Sequence, residues 1–97
     1  MDDISKLKIA VLVTRAPLPK GLTDQDFRQA LAHVDNARLR KILRLRYIDG
    51  RSQAEVAVMK QLHRGRTITP QAVRGLEDRA FQQMRKYLIQ ECSPQRS

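Results

Sequence analysis

The sequence predicts a mainly α-helical domain, four helices containing a helix-turn-helix, preceded by one short N-terminal β-strand. Three observations carry that expectation. Apolar residues recur at i, i+3, i+4 and i+7 from residue 21 onward, cap-type residues precede the periodic runs, and the front of the chain alternates instead. With 97 residues and 41% hydrophobic content, but two Phe, two Tyr and no Trp, the chain can build one small aliphatic core. That size excludes most enzyme folds. The organisation expected is an N-terminal arm at residues 1–20 and a helical domain at residues 21–97, with the helix-turn-helix at about residues 52–88.

In the arm, Leu7, Ile9, Val11 and Val13 fall at alternate positions between Lys6 and Arg15, and Pro17 and Pro19 end the run. No later segment offers a partner strand. The economical solution is pairing with the same segment of a second subunit, which makes Leu7, Ile9, Val11 and Val13 the expected dimerisation residues. A flap against the helices, or a first-turn helix, is the alternative.

The helices follow from their caps. Thr23 with Asp26 three residues later opens the first, whose inward stripe is Phe27, Ala30, Leu31 and Val34. Asn36 opens the second, with Leu39, Ile42, Leu43 and Tyr47 facing in and Arg38, Arg40, Lys41 and Arg44 facing out. Asp49-Gly50 stops it. Ser52 with Glu55 is a capping-box spacing that opens the third, expected to run to about His63. The basic stretch from His63 to Ile68, with Gly65 inside it, has no apolar period and reads as a loop. Thr69 then caps a fourth helix with Pro70 at its first position, running to about Gln90. Its core stripe is Val73, Leu76, Ala80, Met84, Tyr87 and Leu88.

Charge locates the candidate function. The chain carries 19 Lys and Arg against 10 Asp and Glu, a net charge of +9. Residues 36–76 hold Arg38, Arg40, Lys41, Arg44, Arg46, Arg51, Lys60, Arg64, Arg66 and Arg74 against only Asp49 and Glu55, whereas residues 1–35 are balanced. So concentrated a charge implies a polyanionic partner, double-stranded DNA, with a solubilising surface as the bland alternative. Gln71 and Arg74 lie early on the fourth helix, where a helix entering the major groove places base-reading side chains; Gln pairs with adenine and Arg with guanine. Gly75 is poor helix chemistry, explained either by close approach of DNA or by close helix packing. These three are the base-reading candidates. Arg51, Ser52, Lys60, Arg64, Arg66 and Thr69 are the candidates for the DNA backbone, and His63 is a further residue to place beside phosphate. The loop is either that contact or mobile and solvated.

The run from Leu45 to Ala57 followed by that from Thr69 to Arg85 resembles the region-four helix-turn-helix of bacterial sigma factors. Closer in size is the KorA (TrfB-type) family of plasmid transcriptional repressors. Its Leu-Thr-x-x-x-Phe opening resembles Leu22-Thr23-Asp24-Gln25-Asp26-Phe27. Its Asp-Gly-Lys turn with a Gln-Ala pair resembles Asp49-Gly50-Arg51 with Gln53-Ala54, and its Thr-x-x-Ala-Val start resembles Thr69-Pro70-Gln71-Ala72-Val73. The resemblance covers about residues 22–85 and implies a homodimeric DNA-binding repressor, with Gln71 and Arg74 at recognition-helix positions. This chain departs from the family in a turn about six residues longer and in an apolar segment placed before the motif instead of after it.

Other chemistry has little to stand on. His33, His63 and the lone Cys92 make no familiar zinc spacing, so neither a metal nor any other cofactor is expected. There is no Gly-rich phosphate loop, nucleophile elbow or isolated carboxylate pair, and the chain is expected not to be an enzyme. Glu77 and Asp78 are read as orienting arginines, Asp78 by pairing with Arg74. One free Cys and an apolar run of only five residues, Ile9 to Val13, fit a cytoplasmic protein without a membrane partner. The competing function is a protein-interaction module that holds RNA polymerase or another regulator.

Overall fold

The structure, a computed structural model, describes residues 4–13 and 18–91. Those residues form five helices and no strand: α1 (Ser5–Leu12), α2 (Asp24–Ala32), α3 (Ala37–Tyr47), α4 (Gln53–Ala57) and α5 (Pro70–Glu91), with a single 3-10 turn at Lys60–Leu62. The ends of the expected strand at Thr14 and Arg15, its terminator Pro17, and Cys92 lie outside the described residues.

The N-terminal segment is helical, and this corrects the strand expected from alternation. Leu7 and Val11, four residues apart, share one face with Ile4 and are buried in the core, while Ile9, Leu12 and Val13 are exposed. A strand would put Leu7, Ile9 and Val11 on the same face; burial of Leu7 and Val11 with Ile9 exposed follows the helical period instead. Lys8 joins this helix to α2 by an ion pair with Asp24, its ammonium lying 5.8 Å from the centre of the Phe27 ring.

The other helices begin at their expected caps. Asp26 N donates to Thr23 Oγ1 (3.2 Å) and Thr23 N to Asp26 Oδ2 (2.8 Å); the same reciprocal pair joins Ser52 and Glu55, both at 3.0 Å. Asn36 Oδ1 accepts from Arg38 N at 2.8 Å, and Thr69 Oγ1 from Ala72 N at 3.1 Å. Each cap satisfies backbone donors that a helix start leaves unpaired. Helix α5 has 22 residues and is roughly 33 Å long at 1.5 Å per residue.

Helix α4 is shorter than expected, and the cause is non-local. A helix continuing to His63 would direct the carbonyls of Val56 and Ala57 to the N–H groups of residues 60 and 61. Instead Ala57 O accepts from Ile68 N (2.9 Å), and Val56 O from Met59 N (3.2 Å) and His63 Nε2 (2.8 Å). The chain returning toward α5 captures both acceptors and ends the helix.

Two apolar clusters hold the helices together. One joins α1, α2, α3 and the later part of α5 through Leu7, Val11, Phe27, Leu31, Leu39, Leu43, Met84 and Leu88. The other joins α3, α4 and the start of α5 through Ile42, Leu45, Val56, Ala57 and Val73, with Met59, Leu62 and Ile68 packed against it. Leu76 borders both. Helix α5 is therefore fixed along most of its length, and its outer face is presented at a set orientation to α4 and the loop.

Candidate nucleic-acid interface

Helix α5 buries Val73, Glu77, Ala80, Phe81, Met84 and Leu88. Its opposite side leaves Gln71, Arg74, Gly75 and Asp78 exposed, one stripe at i, i+3, i+4 and i+7. No ion pair joins Arg74 to Asp78 among the described residues, so the Arg74 guanidinium is not neutralised at that position. A Cβ built at Gly75 meets nothing within 4 Å. Among the described residues, close helix packing is thereby excluded as the reason for a glycine inside this helix.

The remaining candidates, Arg51, Ser52, Lys60, Arg64, Arg66 and Thr69, are also exposed. They are not equivalent. The hydroxyls of Ser52 and Thr69 are occupied as caps, and Arg51 Nη1 lies 3.4 Å from Glu55 Oε2. Lys60, Arg64, Arg66 and Arg74, together with Lys41 on α3, have no side-chain hydrogen bond or ion pair among the described residues. Hydrogen bonds from Ser52, first its backbone N–H and then its side chain, hold the Glu55 carboxyl below the usual range, with Arg51 adding a smaller effect.

Three arginines of the basic segment face inward instead. Arg38 Nη2 donates to His63 Nδ1 (2.9 Å), Arg40 Nη1 donates to Val34 O, and Arg46 Nε donates to Glu77 Oε2 (3.2 Å). This corrects the outward placement expected for Arg38 and Arg40, both of which are half-buried.

His63 is likewise not at a phosphate-facing surface. It is 4% exposed. Arg38 can only donate and the Val56 carbonyl can only accept, so the neutral ring carries its proton on Nε2 and accepts at Nδ1. The turn beyond it is tightly bonded: His63 N and Gly65 N both donate to Lys60 O (3.0 and 2.9 Å), and Arg66 N donates to His63 O (3.1 Å). Arg64 at φ 58 and Gly65 at φ 82 are both left-handed, the pattern of a type I′ turn. The segment is anchored at both ends, by His63 to Val56 O and by Ile68 N to Ala57 O.

Glu77 is the second buried polar residue and is 2% exposed. Its Oε2 accepts from Arg46 Nε (3.2 Å) and Gln53 Nε2 (3.1 Å), and its Oε1 accepts from the Tyr47 hydroxyl. One carboxylate thus ties α3 and α4 to α5. Burial, then the hydrogen bond and charge of Glu77, push the Tyr47 phenol above its ordinary value of 10.0. The sequence contained a signal for this residue: at 100° per residue Glu77 falls between Val73 and Leu88 on the core arc. His63 left no comparable signal, because its partners are distant in the chain.

Of the expected dimerisation residues, Leu7 and Val11 are fully buried within the chain, whereas Ile9 is 61% and Val13 76% exposed. No described helix is long and apolar enough to cross a membrane. Comparison with family models, curated proteins and solved structures finds no match for this chain.

Proposed function

We propose that this protein is a sequence-specific double-stranded-DNA-binding transcriptional regulator, a repressor that occupies a palindromic operator as a homodimer. Helices α4 and α5 act as a helix-turn-helix with a lengthened turn, and bound protein excludes RNA polymerase from the promoter. The observation that carries this reading is the clustering of unpaired cations beside a helix start: Lys60, Arg64 and Arg66 precede α5, and Gln71 and Arg74 are exposed on its first turns. Gln71 and Arg74 read base edges, while Gly75 lets the helix lie close to the groove. Arg51 and the loop cations meet phosphate, giving binding that weakens with salt. The resemblance to KorA-type repressors, carried by Thr69-Pro70-Gln71-Ala72-Val73, agrees with this role.

Dimerisation moves to the outer face of α1, where Ile9, Leu12 and Val13 form an exposed apolar stripe. That stripe also favours a second reading, an interaction module that holds RNA polymerase or another regulator. The two separate on charge. Selecting bound duplexes from a random pool should return a motif with two-fold symmetry, and Gln71→Ala and Arg74→Ala should lose discrimination between that motif and random DNA. Equal loss on both DNAs would remove these residues from base reading. A pool without enrichment, together with function surviving charge reversal at Arg64 and Arg66, would establish the interaction module instead.

A further inference from the structure

The lengthened loop between α4 and α5 has more internal structure than a tether needs. Met59, Leu62 and Ile68 pack against the cluster of Ile42, Leu45, Val56, Ala57 and Val73. Ile68 N is bonded to Ala57 O, and the His63 ring is held between Val56 O and Arg38. The donors His63 N, Gly65 N and Arg66 N are all used inside the turn. Lys60, Arg64 and Arg66 are exposed at this turn without side-chain partners among the described residues.

Arg64 is the only described non-glycine residue with positive φ, at 58. An L-residue held in that region is disfavoured and persists where the surroundings over-determine it, a situation that clusters at ligand clamps. Here the surroundings are His63 on one side and Gly65 at φ 82 on the other. Charge alone would not require this. Three cations on a slack loop supply the same net charge, whereas a fixed turn supplies it at fixed positions and loses less freedom on binding.

We infer that the segment from Met59 to Ile68 is a pre-formed clamp for the phosphate backbone of duplex DNA, with His63 as its positioning residue. Arg64 and Arg66 make the phosphate contacts. His63 acts through them, by holding the turn to α4 and α3. This rests on the DNA-binding reading above and extends it, since it assigns the affinity of the loop to geometry as well as to charge.

The test compares salt dependence in the full-length chain, measured by fluorescence anisotropy on a selected duplex and on a random duplex. Each phosphate contact contributes about 0.9 to the slope of log affinity against log salt. The Arg64→Ala/Arg66→Ala double variant should lower that slope by about 1.8. Gly65→Val keeps every charge but disfavours the left-handed backbone, and no atom lies within 4 Å of the added Cβ; it should still lower the slope by about 1 on both duplexes. His63→Leu should behave like Gly65→Val, and His63→Gln, which restores a donor and an acceptor, should recover at least half of the loss. Thermal melting of each variant establishes that it is folded. A folded Gly65→Val protein with the wild-type slope overturns the clamp and leaves DNA binding standing. Wild-type protein that binds no duplex overturns both.

Discussion

Replacing Gly75 by alanine should raise stability and lower operator affinity together, a combination few single substitutions produce. The glycine lies inside α5 without a positive φ, and its would-be Cβ meets nothing within 4 Å, so alanine adds neither strain nor a clash. The gain is the helix-propensity difference, about 0.8–1.0 kcal/mol, which raises the melting temperature by about 4–8 °C for a domain of this size. On DNA the sign reverses. A methyl group inserted into a close-packed contact costs about 1–3 kcal/mol, a loss of about 5- to 150-fold in affinity. Calorimetric or circular-dichroism melting gives the first quantity, and anisotropy titration on the selected operator gives the second. A Gly75→Ala protein that melts higher but binds the operator as the wild type does would remove this face of α5 from the interface. One that fails to melt higher would refute the reading of Gly75 as an exposed helix-interior residue.

Glu77→Ala leaves Arg46, Gln53 and the Tyr47 hydroxyl without their shared acceptor; because the Arg46 side chain is 22% exposed, the expected loss is about 3 kcal/mol, the lower end for a broken buried pair, read by urea unfolding. Leu7→Ala should cost about 2–5 kcal/mol as a core truncation, whereas Ile9→Ala should stay within about 0.5 kcal/mol for the folded subunit; comparable losses at both positions would mean that the segment is not the helix described. Ile9→Asp should shift the oligomer toward monomer in sedimentation, and no shift would exclude the α1 stripe from dimerisation. The Tyr47 phenol titrates above its unfolded value, so its contribution is complete below about pH 10 and is lost as pH rises through the folded value. Stability measured against pH should therefore fall less steeply above pH 10 in Tyr47→Phe than in the wild type.

What was legible in the sequence is what local chemistry decides. Thr23 with Asp26, Asn36, Ser52 with Glu55, and Thr69 before Pro70 mark helix starts through contacts spanning at most three residues, and all four appear as expected. The front of the chain was ambiguous because Leu7 to Val13 is apolar at every position but Lys8, satisfying the strand and helix periods together. Burial against α3 and α5 decided it, overriding the β-branched Ile9, Val11 and Val13, since propensity is a weak prior. The end of α4 was not legible at all. It depends on Ile68 N reaching Ala57 O across eleven residues, and on His63 turning inward to Val56 O.

The internal arginines give the basic segment a different meaning from its net charge. Arg38 and Arg46, the two that bond to buried polar residues, support His63 and Glu77, and those two residues set the loop and α5 relative to α3 and α4. Removing either arginine should therefore alter binding without removing any cation from the exposed surface proposed to meet DNA. Within the basic segment, Lys41, Lys60, Arg64, Arg66 and Arg74 are exposed cations without a side-chain partner among the described residues. If net charge governed binding, substitutions at Arg38 and at Arg66 would change the salt slope equally. On the proposed arrangement, only Arg66→Ala removes a phosphate contact outright, lowering the slope by about 0.9 at unchanged stability. Arg38→Ala lowers stability first, because it leaves His63 Nδ1 buried without its donor.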